Sequence, residues 1–267
     1  MSSSAVSAAE NTDLFFTVLK SVNEFDNAEV KGVLDTLLSP TDRDNCFIGT
    51  YYRVIGNVGT LLKLDKSKDF QAILMLARAL FELAVDLRLL ETISNGWIKL
   101  LAYAELEKLR AARKIINFKK NNPATEIETK IYDWFVSQHS ARITGLQNSN
   151  WPRINPKHWS GLDLSGRVAQ LGSPFDQIYA VDYPRISWYA HSGLTGVINL
   201  PAEGFIHLCA YAFHLSATAY TESLLVLIRE FKLSKTNEKI ENHLQAAKML
   251  PFTKNPEQAA ILSRLLR

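Results

Sequence analysis

An arginine and a histidine six positions apart, Arg185 and His191, are the residues of this sequence with the clearest capacity for chemistry. They lie in the segment YPRISWYAHSG, residues 183–193. A histidine whose pKa is near neutrality can transfer a proton. A guanidinium can hold a phosphate oxygen and stabilise the charge that builds in a transition state. The pair therefore predicts RNA cleavage without a metal, in which His191 acts on the 2′-hydroxyl or the leaving 5′-oxygen and Arg185 holds the phosphate.

The same segment has a second interpretation, in which it is only the end of a short helix. Pro184 suits the first turn of a helix, and Gly193 suits the position just past its end. His191 then lies in the last turn, where an imidazolium interacts favourably with the backbone carbonyls. Six residues along an ideal helix rotate by about 600°, which leaves Arg185 and His191 about 120° apart. A single site therefore needs a distorted helix, side chains that bend inward, or a second chain, and both interpretations stay open.

A stripe of charge on an otherwise apolar helix is the next candidate. Arg78, Glu82 and Asp86 are spaced four apart within the predicted helix Lys68–Glu91, so they share one face. Burial of an unpaired charge is costly, which makes charges on such a helix notable. The stripe either pairs at an exposed edge or lines a polar cleft that faces residues 183–193.

Three stretches of the chain carry a resemblance to a known family. They are ARALFELAVDL (77–87), HWSGLDLSGRVAQLG (158–172) and YAVDYPRISWYAHSG (179–193). They resemble a group of bacterial helical proteins of unknown function that is similar to the HEPN superfamily of helical ribonucleases and nucleotide-binding modules. Its members share an R-x3-E helix, a W-x-G segment and an S-x3-H segment, and HEPN proteins share R-x(4–6)-H. The matching residues are Arg78 and Glu82, Trp159 and Gly161, Ser187 and His191, and Arg185 with His191.

The resemblance implies a HEPN-like helical bundle with extra N- and C-terminal helices, often a homodimer in which two arginine–histidine segments meet. It implies a metal-independent endoribonuclease that needs no cofactor, as a toxin or phage-defence component with a possible antitoxin or defence partner. Arg185 and His191 would be catalytic, and the supporting residues would be Arg78, Glu82, Asp86, Ser187 and Tyr189. Ile186 departs from the polar residue that often follows the arginine in active HEPN nucleases. This departure favours the alternative, a non-catalytic module that binds a nucleotide or a protein.

Two further groups of residues are weaker candidates. A basic run from Lys108 to Lys120 either forms a solvated helix face or follows an RNA backbone, for which the RNA-binding residues would be Arg110, Arg113 and Lys114. His207, Tyr211 and His214 share one face of an apolar helix. We interpret them as core residues with satisfied nitrogens rather than as metal ligands.

The elements that must position these residues are all helical, because the apolar residues recur at spacings of three and four. The predicted helices are Leu14–Asn23, Asn27–Leu37, a helix from Thr41 or Asp42 to Lys63, Lys68–Glu91, Trp97–Lys120, Thr125–Ile143, Asp163–Leu171, Pro174–Tyr183, the segment 184–192, Ala202–Glu230, Asn237–Met249 and Pro256–Leu266. The residues between Thr144 and Leu162 show no period and predict a long loop. Its tryptophans, Trp151 and Trp159, indicate that the loop packs against the body of the protein.

The composition is that of a globular protein. The chain has 267 residues, of which 47% are hydrophobic and 21% charged, and its net charge of +3 permits RNA as a partner without requiring it. Two distant cysteines, Cys46 and Cys209, suit a reducing cytoplasm. The N-terminus lacks a signal-peptide pattern, and no apolar run is long enough for a membrane span. We expect a mobile tail over residues 1–12 and one helical domain over 13–267, with the HEPN-like core at about 68–232.

Overall fold

A computed structural model describes residues 8–37, 39–190, 202–233, 238–239 and 241–242. All secondary-structure elements in these ranges are α-helices, which confirms the prediction of an all-α fold. They are α1 (Ala8–Glu29), α2 (Lys31–Asp35), α3 (Asp42–Leu61), α4 (Phe70–Thr92), α5 (Gly96–Asn121), α6 (Lys130–Asn150), α7 (Leu164–Leu171), α8 (Phe175–Ala190) and α9 (Ala202–Glu230). Of the predicted helix Asn237–Met249, the structure describes only four residues, which are helical. The predicted helix Pro256–Leu266 lies outside the described residues. Kinship with HEPN proteins stays a prediction.

The described residues fall into two compact units. The first is formed by Met1–Glu91 with Val168–Arg267, and the second is Thr92–Arg167. The prediction of a single domain stays a prediction.

The first unit is built around α9, against which α1, α3 and α8 pack. Almost every side chain of α9 between Leu215 and Ile228 is buried. A helix that is apolar nearly all round is stable only when it is covered on most sides, and α9 meets this condition. The predicted central helix, α4, is likewise buried except along its charged stripe and a few outer positions.

Helix α1 begins earlier than the sequence pattern indicates. Residues 8–12, which we expect in a mobile tail, belong to this helix. The hydroxyl of Thr12 donates to the carbonyl oxygen of Ile206 in α9, at 3.0 Å, and Thr12 is buried. This tertiary contact extends the helix beyond the segment whose periodicity is visible in the sequence.

A buried carboxylate joins three helices of the first unit. Asp26 of α1 is 1% exposed. Its carboxylate accepts hydrogen bonds from the hydroxyl of Tyr51 in α3, at 2.6 and 2.8 Å, and from the hydroxyl of Tyr220 in α9. Burial raises the pKa of Asp26 above its usual value, although the hydrogen bonds from the two tyrosine hydroxyls act to lower it. The three side chains therefore form one buried polar network, which we call the Asp26 network.

The second unit contains α5 and α6, packed through a small core of Leu106, Leu109 and Ile143. The predicted helix Thr125–Ile143 is wrong at both ends, because α6 begins at Lys130 and continues to Asn150. The loop that follows is therefore shorter than the sequence pattern indicates. The prediction that it packs back is confirmed, since Trp151 and Trp159 are buried.

Backbone geometry explains the glycine of the W-x-G segment. The indole N–H of Trp151 donates to the carbonyl oxygen of Trp159, at 3.1 Å. Gly161 has a φ of 79°, and a Cβ atom there would lie 3.2 Å from Trp151 Cδ1. Both the left-handed backbone and the close indole ring therefore require glycine.

Candidate functional site

Helix α8 carries the predicted site, and it differs from the prediction in one respect. Pro184 lies inside a continuous helix, Phe175–Ala190, rather than in the first turn of a new one. A proline inside a helix removes one backbone hydrogen bond and costs about 3 kcal/mol. Tyr183 and Ile186, on either side of it, are buried. Packing of this face offsets the penalty, so the helix continues through the proline.

The structure brings the charged stripe of α4 to α8, as one of the two interpretations predicts. The Nε–H of Arg78 donates to Oε1 of Glu82 at 2.9 Å, and the hydroxyl of Tyr183 donates to the same oxygen at 2.8 Å. A guanidinium N–H of Arg78 donates to Oγ of Ser187 at 3.4 Å. We call these four residues the polar cluster.

Within the polar cluster, the positive charge of Arg78 is paired with the negative charge of Glu82, and both side chains are half-buried. The side chains of Arg78 and Glu82 are 30% and 34% exposed. The guanidinium of Arg78 also lies 5.5 Å from the ring centroid of Tyr183, within the range of a cation–π contact. Burial and the neighbouring Glu82 carboxylate raise the pKa of Tyr183, so its hydroxyl stays protonated and donates. Asp86, one turn further along α4, is half-buried as well.

We expect Tyr183→Phe to lower the free energy of unfolding by about 1 kcal/mol, the usual contribution of one hydrogen bond. The phenylalanine keeps the ring and its packing but removes the donor to Glu82. Chemical denaturation followed by circular dichroism measures this change. Tyr179→Phe is the matched control, because Tyr179 stacks near Tyr183 with ring centroids 5.3 Å apart. An equal loss in the two variants would show that the bond to Glu82 contributes nothing specific.

Arg185 lies on the other side of α8. Two residues along a helix rotate by about 200°, so Arg185 and Ser187 point in nearly opposite directions. The guanidinium of Arg185 lies 4.9 Å from the ring centroid of Tyr211 in α9. The described contacts of Arg185 and Arg78 are therefore with different residues, and the prediction that the stripe supports Arg185 stays a prediction.

A cavity of about 610 Å³ adjoins Arg185 within the first unit. This volume lies within the range of small-molecule sites. We call it the Arg185 cavity. Its lining comes from α1, α8, α9 and the turn before α8, and comprises Asn11, Phe15, Ser173, Pro174, Gln177, Ile178, Val181, Asp182, Arg185, His207, Ala210, Tyr211, His214 and Thr218.

The acid of this cavity, Asp182, lies one turn before Arg185. Burial raises the pKa of Asp182, and the positive charge of Arg185 acts against this rise. A carboxyl group with a raised pKa takes up a proton at a higher pH than usual. As the pH falls, the cavity therefore loses negative charge sooner than an ordinary aspartate would allow.

Comparisons with family models, curated proteins and solved structures find no significant match for this chain.

Two predicted site residues fall at the limit of the described structure. His191 lies outside the described residues. Tyr189 belongs to the last turn of α8, but its side chain is likewise outside them. The convergence of Arg185 and His191 on one phosphate therefore stays a prediction.

The polar face of α9 is the part of the site that sequence reasoning interpreted wrongly. His207 and Tyr211 are exposed rather than core residues, and with His214 they line the Arg185 cavity. The ring of His214 packs against Phe15, with centroids 4.8 Å apart. The sequence did show that His207, Tyr211 and His214 recur at a helical spacing on an otherwise apolar helix. That spacing is the same for a helix face in the core and for one that lines a cavity.

The predicted RNA-binding residues lie in the second unit. Arg110 donates to Glu107 and Asn155, and its guanidinium lies 5.9 Å from the ring centroid of Tyr103. Arg110, Lys114 and Lys157 line a cavity of about 360 Å³ in this unit, whereas Arg113 is exposed and is not part of its lining. Because Arg110 already has an acidic partner, the positive charge available to an anion in this cavity comes mainly from Lys114 and Lys157.

Within the described part of the chain, no group of three His, Cys, Asp or Glu side chains is placed to bind a metal ion. None of the described helices combines the length and the hydropathy that a bilayer span requires.

Proposed function

We propose that this chain binds the phosphate of a ribonucleotide, free or within RNA, in the Arg185 cavity. The observation that carries the proposal is the position of the Arg185 guanidinium, 4.9 Å from the ring centroid of Tyr211, at the wall of a cavity that His207 also lines. This cation–π contact restrains the guanidinium, which is suited to bind phosphate oxygens in a fork. Arg185 is exposed, so an entering anion reaches it without rearrangement of the core.

The wall of the cavity also favours a nucleotide over inorganic phosphate. Phe15 and Ile178 are buried apolar residues of its lining, and Val181 and Pro174 extend the apolar surface. Sites for small organic ligands combine such surfaces with a few polar groups. A ribonucleotide offers an anion for Arg185 and a flat base for the apolar wall.

We expect Arg185→Ala to weaken the binding of a ribonucleoside monophosphate by about tenfold to 100-fold, because a hydrogen bond to a charged group contributes about 1.5–3 kcal/mol. Isothermal titration with the four 5′-monophosphates measures the change. The matched control is Arg53→Ala, which removes an exposed arginine of α3 outside the cavity lining. Equal affinity of the Arg185→Ala variant and the wild type would reject the proposed site.

A second function is metal-independent RNA cleavage at the same place. The observation that favours it is that an arginine and two histidines, His207 and His214, line one cavity. These are the residue types that general acid–base catalysis with phosphate stabilisation needs. The resemblance adds His191 as the proton-transferring residue. Roles as a toxin or phage-defence component, a homodimer and an antitoxin partner rest on the resemblance alone and stay predictions.

A further inference from the structure

Thr218 of α9 has a buried hydroxyl that differs from the other hydroxyls of its helix. Ser216, Thr221 and Ser223 each donate to the carbonyl oxygen four residues earlier, at 2.7, 2.7 and 2.8 Å. Thr218 is 2% exposed, and its Oγ1 has no hydrogen-bond partner among the described residues. A buried polar group without a partner is destabilising and therefore requires an explanation.

The location of Thr218 supplies one, because it lines the Arg185 cavity. The cavity follows one face of α9, from the exposed His207 and Tyr211 to the buried Ala210 and Thr218. Tyr211, whose ring centroid lies 4.9 Å from the Arg185 guanidinium, precedes Thr218 by seven residues, or about 10 Å along the helix axis. The cavity thus has a cation at its exposed end and the hydroxyl of Thr218 at its buried end.

An apolar surface lies between these ends. Phe15, Ile178 and Ala210 are buried lining residues, and the ring of His214, between Tyr211 and Thr218 on α9, packs against Phe15. A fitting ligand therefore has an anion at one end, a flat apolar body, and a group at the other end that can form a hydrogen bond. A sugar phosphate lacks the apolar body, and a fatty acid lacks the polar far end. A nucleoside monophosphate has all three parts, and its phosphate and the polar edge of its base are separated by a similar length.

We infer that Thr218 contacts the hydrogen-bonding edge of a nucleobase that enters the cavity while Arg185 holds the phosphate. The inference rests on the proposed function and adds to it a residue that reads the base. It makes Thr218 a specificity-determining residue, because a buried hydroxyl discriminates between ligands that do and do not satisfy it.

The test compares three variants in isothermal titration with the four ribonucleoside 5′-monophosphates and with ribose 5-phosphate, which lacks a base. Thr218→Val removes the hydroxyl at nearly constant volume, and Thr218→Ser retains it. Thr221→Val is the matched control on the same helix, since Thr221 does not line the cavity. We expect Thr218→Val to weaken the nucleotide that binds best by about fivefold to tenfold, the range of one lost hydrogen bond. Thr218→Ser and Thr221→Val should bind it as the wild type does.

Two further readouts separate a ligand contact from a structural role. Ribose 5-phosphate should bind the wild type and Thr218→Val equally. The melting temperature of ligand-free Thr218→Val should equal or exceed that of the wild type, because replacing an unsatisfied hydroxyl with a methyl group removes a penalty. A lower melting temperature, or unchanged nucleotide affinity, would overturn this inference and leave the role of Arg185 intact. Absence of any nucleotide binding to the wild type would overturn the inference together with the proposed function.

Discussion

His191→Ala is expected to reduce metal-independent RNA cleavage by at least about 100-fold, the usual contribution of a general acid or base. The assay incubates purified protein with total RNA in the presence of EDTA and detects 2′,3′-cyclic phosphate ends. EDTA excludes cleavage by a contaminating metal-dependent nuclease, and the cyclic end identifies attack by the 2′-hydroxyl. Arg185→Ala should cause a loss of similar size, because in the proposed mechanism the guanidinium would stabilise the phosphate charge in the transition state.

Controls for this prediction come from outside the cavity and from the fold. Arg53→Ala should leave cleavage unchanged, since this exposed arginine of α3 is not part of the cavity lining. The circular dichroism spectrum and the melting temperature of His191→Ala should match those of the wild type. A large fall in melting temperature would instead favour a role of His191 in stabilising the end of a helix. Intact RNA with the wild-type protein, combined with nucleotide binding, would identify a non-catalytic binding module.

Asp26→Ala should be the most destabilising single substitution among those considered for the first unit, with a loss of about 2–5 kcal/mol. The reason is that Tyr51 would keep a buried hydroxyl without its acceptor, and Tyr220 would keep only a long hydrogen bond, of 3.5 Å, to Oδ1 of Asn23. Such a loss is a large fraction of the 5–15 kcal/mol that is typical of a folded domain. Chemical denaturation at pH 7 measures it.

The matched control is Glu24→Ala, two residues earlier on α1, where the side chain is 67% exposed and pairs with Lys20 across one turn. Exposed ion pairs of this kind contribute little. A comparable loss of stability in the two variants would contradict the importance of the Asp26 network. Asp26→Asn should lose less than Asp26→Ala, because the amide oxygen still accepts a hydrogen bond from a tyrosine hydroxyl.

The raised pKa of Asp26 also sets the sign of a pH effect. In the folded state the carboxyl keeps its proton to a higher pH than in the unfolded state, because burial disfavours the charged form. Between the unfolded pKa and the raised folded pKa, the folded protein binds more protons, so the contribution of Asp26 to stability falls as the pH rises through this window. Asp26→Asn should flatten this decrease, and an unchanged pH dependence would contradict it.

Much of the local structure was predictable from the sequence. The bounds of α9 agree with the periodic pattern, and α3 begins where Thr41 suggests, because Thr41 and Asp44 form a capping box. These features depend on residues three or four apart in sequence, which a periodic pattern records. Pro184 shows the limit of such rules. Its local preference predicts a helix start, but the packing of Tyr183 and Ile186 continues the helix through it.

The candidate site shows the same division. The contact of Arg78 and Glu82 with α8 was one of two alternatives that the sequence left open, because charges on an apolar helix need polar partners but can also pair with each other at an exposed edge. The Arg185 cavity was not predictable, since it joins residues of α1, α8 and α9 that are distant in the chain. We interpreted His207, Tyr211 and His214 as core residues because a helix face that lines a cavity and one that packs in the core have the same spacing.

The sequence by itself determined an all-α protein, most of its helix positions and the residue types available for phosphate chemistry, because these follow from periodicity, capping and composition. Only the tertiary structure decided which helix each face of α8 meets. Ser187 contacts Arg78 of α4, and Arg185 contacts Tyr211 of α9. The physical reason is that side-chain direction on a helix changes by about 100° per residue, so neighbouring positions serve different surroundings once the helices pack.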